Sequence, residues 1–228
     1  MDKSKERTVV FDCETTGLRP NENSIVALGA VDVATGDTFY EECRIPENSI
    51  VNQKALDVNG FTEEQIKDPS KETSEELYKH FIEFCKAHKT LFLAAYNAGF
   101  DINFTHSIGK RLKMNGLPPK AYDLMEIAMN EFINNDNIFP LVEKEKIPGK
   151  YPKLNETLGY YGLPDERHPH NALTGAQLEC EVYTLMKFKE HYLPEYKDVP
   201  IAPAIAALNI HFEKYVHDTS VYFEESNK

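Results

Sequence analysis

Three strand-like runs, residues 8–13, 25–33 and 38–45, open the chain and are joined by turn-prone segments. The first is rich in β-branched and aromatic residues, the second is Ile25 to Val33, and Thr35-Gly36-Asp37 has the composition of a hairpin turn. Such a start reads as an antiparallel meander. Helical periodicity follows from Ser74, with Leu77, Phe81, Phe84 and Cys85 at helical spacing, and residues 91–95 read as a short buried strand. Further helices are expected over 102–114, ended by Asn115-Gly116 and Pro118-Pro119, and over 123–132, 154–161, 173–189 and 202–215. Residues 134–153 are polar and irregular, which predicts a long loop or insertion. Three hairpin-linked strands followed by alternating helices and strands predict an α/β fold, a mixed sheet with helices on both faces. The expected organisation is one domain over 1–195 and a C-terminal helical extension over 196–228 packed on it.

The 228 residues carry 25 Lys+Arg against 37 Asp+Glu, a net charge of −12. That balance excludes a broadly basic surface that coats nucleic acid, but not an enzyme that grips one end locally. No run approaches the ~18 apolar residues of a membrane helix, so no membrane partner is expected. The polar first seven residues lack a secretory h-region. Cys13, Cys43, Cys85 and Cys180 are far apart and form no CxxC pair, suggesting neither a zinc site nor a disulfide framework. A reduced, cytoplasmic setting is expected.

Three segments carry chemistry. In Phe11-Asp12-Cys13-Glu14-Thr15-Thr16-Gly17-Leu18, Asp12 and Glu14 are two apart at a strand end and project from one sheet face. Paired carboxylates repel unless a cation lies between them, and oxygen ligands suit Mg²⁺ or Mn²⁺. A bare Asp-x-Glu also reads as a strand running out into solvent. The Thr-Thr-Gly that follows offers hydroxyls and a permissive backbone to a sugar or phosphate. In Tyr96-Asn97-Ala98-Gly99-Phe100-Asp101-Ile102-Asn103-Phe104, a strand ends and a helix begins near Asp101, which by itself reads as an N-cap. In His170-Asn171-Ala172-Leu173-Thr174-Gly175-Ala176-Gln177-Leu178-Glu179, a loop histidine precedes a long helix. Beside a metal it can take a proton from water near neutral pH; elsewhere it is a solvent-facing side chain.

Together and in this order, the segments resemble the DnaQ-like 3′–5′ exonucleases of the DEDDh class, which have a ribonuclease H-like fold. FDCETTGL, NAGFDINF and HNALTGAQLECEVY look like their three motifs. Further similarity lies in residues 25–31, 58–62, 122–124 and 154–158, so the resemblance runs from about Thr8 to Lys189. It implies two divalent ions, Mg²⁺ or Mn²⁺. Asp12 would bridge them, Glu14 would bind one, and Asp101 would hold the second through water. His170 would be the general base for the attacking water. Such ion pairs sit ~3.5–4 Å apart and stabilise entering and leaving oxygens. The implied substrate is a single-stranded DNA or RNA 3′ end, and the product a nucleoside 5′-monophosphate. The Thr15 and Thr16 backbone, with Gly17, would hold the terminal sugar, and Leu18 would wedge against the terminal base. Asn97 and Phe100 would contact the strand.

The pattern breaks at one position. The family's third motif has an aspartate, a direct metal ligand, five residues after the histidine, and here that residue is Gly175. Glycine also weakens a helix by ~1 kcal/mol relative to alanine, so propensity gives no reason for it. Three explanations compete: a substitution introduced to trap substrate, a natural loss or weakening of catalysis, or another carboxylate in its place. Glu179, one helical turn on and on the same face, is the candidate substitute; it also reads as an ordinary helix-surface glutamate. One metal site is expected to be weakened and turnover low. Ala27 is a second departure, where relatives usually carry Glu.

Lys110, Arg111, Lys113 and Lys120, and Lys144, Lys146, Lys150 and Lys153, could flank a cleft and meet phosphates, or be solvated surface charges. Tyr96, Phe61, Phe100 and Phe104 could stack on bases, with core packing the competing reading. The sparse basic grip predicts low processivity or delivery by a partner, either a second copy of the chain or a polymerase-type protein. A non-catalytic module that binds a nucleic-acid end in the same cleft stays open because of Gly175. A ribonuclease H-like endonuclease, which would not need His170, is a third reading.

Overall fold

A computed structural model describes residues 3–133, 151–164 and 170–221. Strands β1 (Thr8–Thr15), β2 (Ile25–Asp32) and β3 (Thr38–Arg44) form the expected antiparallel meander. Two short helices follow, α1 (Gln53–Asn59) and α2 (Glu63–Lys67), then β4 (Glu72–Thr73) and α3 (Ser74–Ala87). Next come β5 (Phe92–Ala95), α4 (Ala98–Leu112), β6 (Lys120–Asp123) and α5 (Leu124–Ala128), which runs into a π-helical turn, Met129–Ile133. Helices α6 (Leu154–Tyr160), α7 (Ala172–Phe188) and α8 (Pro203–Ala206) precede the last strand, β7 (Val216–Asp218). The sheet order is β4-β3-β2-β1-β5-β6-β7. β5 runs parallel to β1 and to β6, and β7 closes the far edge antiparallel to β6. This is the mixed sheet with helices on both faces that the pattern predicts.

Alternation along β1 sorts its side chains between two cores. Val9, Phe11 and Cys13 pack with α3 and α4 residues such as Phe81 and Phe104. Val10 packs on the opposite side with α7 residues such as Ala176 and Tyr183. Asp12 and Glu14 therefore face α7. Gly29, paired with Asp12, lies under that helix's start: a Cβ there would fall inside the Ala172–Leu173 backbone. The absent side chain lets α7 begin directly on β2, which brings the residues before it to the end of β1.

The far end of α7 is fixed by a buried cluster. Tyr192 and Leu193 donate backbone N–H groups to Glu181 Oε2, both at 2.7 Å, and His191 Nδ1 lies 2.5 Å from Oε1. His191 Nε2 reaches the Val199 carbonyl at 2.9 Å. Glu181→Ala removes the acceptor and leaves these partners buried. The expected loss is about 3–5 kcal/mol, seen as a fall of roughly 10 °C in thermal unfolding.

Four expectations need correction. α4 begins at Ala98, four residues before the expected start, because Asn97 takes a left-handed conformation (φ 66°) and turns the chain abruptly. Residues 120–123 are strand β6, and Asp123 caps α5 rather than starting a long regular helix. Residues 202–215 are not one helix. They hold only α8 and a 3₁₀ turn, Phe212–Tyr215, and the chain then joins the sheet. Their buried apolar residues, Ile205, Ile210 and Phe212, are spaced by five and two, which no helix face permits. The extension over 196–228 is thus mainly non-helical where it is described, and residues near His217 are strand. Lastly, α1, α2 and β4 have no counterpart in the sequence reading. Of the expected insertion at 134–153, residues 134–150 lie outside the described residues.

Candidate active site

The motif residues meet where β1 and β5 end, between the first turn of α4 and the N-terminal half of α7. Asp101 sits inside α4's first turn, not at its cap. Its Oδ1 accepts the Cys13 backbone N–H at 2.9 Å, which ties the second motif to the first. It is 3% exposed. Burial, and next the charge of Asp12, hold the Asp101 carboxyl well above the usual carboxylate range.

Two cavities flank Asp12 and Phe100, which line both. One, about 380 Å³, is also lined by Cys13, Glu14, Thr15, Gly17, Leu18, His170 and the α1 residues Ala55, Val58 and Asn59. The other, about 310 Å³, is lined by Asp101, Tyr96, Met125, Lys153 and Glu179 among others. Leu18 stands at the rim with 78% of its surface exposed, an apolar side chain held out to solvent. His170 is anchored through its N–H to the Val58 carbonyl at 3.2 Å. The next residue, Asn171, caps α7 by accepting from Leu173 and Thr174 N–H, and donates to the Tyr40 hydroxyl at 3.3 Å. Tyr40, pushed up to about 12 by burial and its bond to Glu42, keeps its proton.

Not every expected residue lines this cleft. Thr16 is fully buried: its hydroxyl donates to Ile50 O and accepts from Ser24 N, and its carbonyl accepts from Asn52 N. It braces the loop, and its groups are spent there. The Thr15 hydroxyl donates to Gly17 O, and Asn59 donates to the Thr15 carbonyl at 3.1 Å. Asn97 is exposed and lines neither cavity. Phe104 is core and its ring meets that of Phe100 at a tilt of 51°. Tyr96 is tied through its hydroxyl to Pro152 and Thr157, and Phe61 lies under the Lys71 ammonium. Lys110 and Arg111 line a separate, roomier cavity of about 640 Å³ that holds none of the motif carboxylates, and Arg111 pairs with Glu75. Lys153 alone of the expected insertion lysines is described, and it lines the second cavity. The sequence reading missed the α1 wall; Val58 and Asn59 lie within the resemblance, and Asn52 before the helix and Gly60 after it are the start and stop signals that could have marked residues 53–59.

Glu179 is not a surface residue. It is 3% exposed, and its Oε2 accepts the Tyr96 N–H at 2.9 Å. Gly175 faces Asp12 so closely that a Cβ there would overlap Asp12 Oδ2 and lie 2.8 Å from its Cγ. The Asp12 carboxylate fills the space left by the missing side chain. Ala27 is buried, paired with Glu14 on one side and Glu42 on the other.

The carboxylate oxygens are a hard donor set that suits a divalent cation, and their mutual repulsion favours one. Among the described residues no three such groups are drawn together tightly enough to hold an ion as they stand. The site offers carboxylate oxygens around one cleft, without a closed cage.

Residues 9–183 match the RNase T family of exonucleases. DNA polymerase III subunit epsilon of Buchnera aphidicola subsp. Baizongia pistaciae is 27% identical over 194 residues, 81% of this chain and 72% of that protein. The PolC-type DNA polymerase III of Caldanaerobacter subterraneus subsp. tengcongensis is 28% identical over 183 residues, 78% of this chain but only 11% of that protein. The fold is shared with the nuclease domain of 3′hExo, a DEDDh family member bound to rAMP (TM-score 0.60, 18% identity, 86% of this chain and 95% of that one). It is also shared with E. coli exonuclease I in complex with a dT13 oligonucleotide (TM-score 0.64, 16% identity, 81% and 41%). The chain belongs to the RNase T exonuclease family, as a DnaQ-like nuclease.

Proposed function

We propose that this chain is a metal-dependent 3′–5′ exonuclease that removes nucleoside 5′-monophosphates from single-stranded ends, slowed by the missing carboxylate at 175. The carrying observation is the convergence of Asp12, Glu14 and His170 on one cavity whose rim is the exposed Leu18. Asp12, Glu14 and Asp101 would hold the divalent ions, Mg²⁺ or Mn²⁺, which when bound supply Lewis-acid stabilisation of the phosphoryl oxygens. His170 takes the proton of the attacking water; its anchored backbone and the capped helix behind it limit its drift. Leu18 and Phe100 offer apolar surface to the terminal base. Gly17 and Thr15 line the wall where the sugar would lie, while Thr16 supports them from behind. We assign residues 1–195 to this nuclease unit, with 196–221 as an arm that completes its sheet. The working setting is a reducing cytoplasm, in keeping with four free, buried cysteines. The relation to polymerase III subunits supports a polymerase-type partner.

The test uses 5′-labelled single-stranded DNA and RNA oligomers with Mg²⁺, Mn²⁺ or EDTA. A ladder shortening from the 3′ end, abolished by EDTA and absent on circular substrate, is expected. Cutting of circles would point to an endonuclease. Gly175 favours one second reading, a module that binds the end without cutting it. Retained metal-dependent binding of the oligomer with no shortening, at any enzyme concentration, would establish it.

A further inference from the structure

We infer that the anion lost at position 175 has moved one helical turn along α7: Glu179 serves the metal site in its place, with Asp12 turned into the space that Gly175 leaves. The inference rests on the functional reading above and concerns which residues of this chain serve that site.

Two features of the structure belong together. The first is the overlap at Gly175. A side chain there and Asp12 in its present position exclude each other. The Asp12 carboxylate is thus seated against α7, toward the helix that carries Glu179. The second is the state of Glu179. A helix-surface glutamate would be solvated, but this one is 3% exposed and shares a cavity with Asp12 and Asp101. The Tyr96 N–H satisfies Oε2 and fixes the carboxylate at the end of β5, where the second motif starts.

Reach is adequate in kind. Four residues along a helix are about 6 Å. Helical side chains lean toward the N-terminus, and glutamate has one methylene more than aspartate, so both effects act to recover that distance. Position 179 is on the same face as 175.

The test measures Mn²⁺ affinity directly, by the loss of the free-ion EPR signal on titration, alongside oligomer hydrolysis. Four proteins are compared with the chain as given: E179Q, G175D, the E179Q/G175D double variant and D12N. Glutamine keeps an oxygen for the Tyr96 N–H while losing the charge, so metal-free thermal unfolding of E179Q should stay within a few degrees of the parent. The expected result is a loss of Mn²⁺ affinity of about tenfold or more in E179Q, restored by adding G175D. Such a rescue requires that the two positions serve one site; a purely structural Glu179 would not show it. Three results overturn the inference: E179Q binds Mn²⁺ as the parent does while D12N does not; G175D fails to rescue E179Q; or the parent binds no Mn²⁺ and G175D alone creates a site. If D12N also binds Mn²⁺ normally, the metal-dependent reading itself is what fails.

Discussion

Gly175→Asp should raise metal-dependent hydrolysis by about 10²-fold, roughly 3 kcal/mol of transition-state stabilisation, and should make the metal-free protein less stable. The two effects come from the same contact. An aspartate Cβ at 175 falls on the Asp12 carboxylate, so Asp12 must swing away from α7. Only the end of a short side chain moves, which keeps the steric part near 1 kcal/mol. The swing still leaves another carboxylate beside Asp12 and the buried Asp101, whose carboxyl is already held high by burial and by the Asp12 charge. Without a cation the added charge lowers the unfolding temperature. With Mg²⁺ or Mn²⁺ the order reverses, because an ion that binds only the folded state stabilises it by mass action. Thermal unfolding with EDTA and with 10 mM Mg²⁺, read beside the rate, checks both signs. A variant that is no faster than the parent, with an unchanged metal-induced shift, would remove position 175 from the site.

Asp12→Asn is expected to have the opposite pair of effects. It removes the one motif carboxylate that lines both cavities. Hydrolysis should fall by about 10³-fold or more, near the upper end of what single charge-stabilising groups contribute. The metal-dependent rise in unfolding temperature should disappear. The metal-free protein should unfold at a higher temperature than the parent, because the charge that crowds Asp101 is gone. Asparagine keeps the size and polarity, so a fall in metal-free stability would mean that Asp12 is a structural residue.

These two substitutions show where local sequence was sufficient. The meander from Thr8 to Arg44, the strand at Phe92–Ala95 and helices α3 and α7 follow from short-range pattern, and the structure has them where the pattern puts them. Strand alternation alone puts Asp12 and Glu14 on one face. Local pattern failed where long-range contacts decide. Asp101 reads as an N-cap in isolation, but its carboxylate is drawn to the Cys13 N–H of a strand 88 residues away. β7 exists only because β6 offers an open edge to pair with. Thr16 reads as a substrate hydroxyl until its hydrogen bonds to Ser24, Ile50 and Asn52 are counted.

The sequence by itself determined the α/β class, the three motifs, their order and the absence of a carboxylate at 175. Each of these is written in residue identity and short spacing, which covalent geometry converts directly into shared faces. Only the tertiary structure decided what the absence means physically. Gly175 and Asp12 lie 163 positions apart in sequence, and their competition for one volume arises only when α7 packs on β1. By sequence, Glu179 reads first as a helix-surface glutamate and only second as a site residue. Packing against the end of β5 buried it beside Asp12 and Asp101, because burial is a property of the assembled layers and not of the helix that carries the residue.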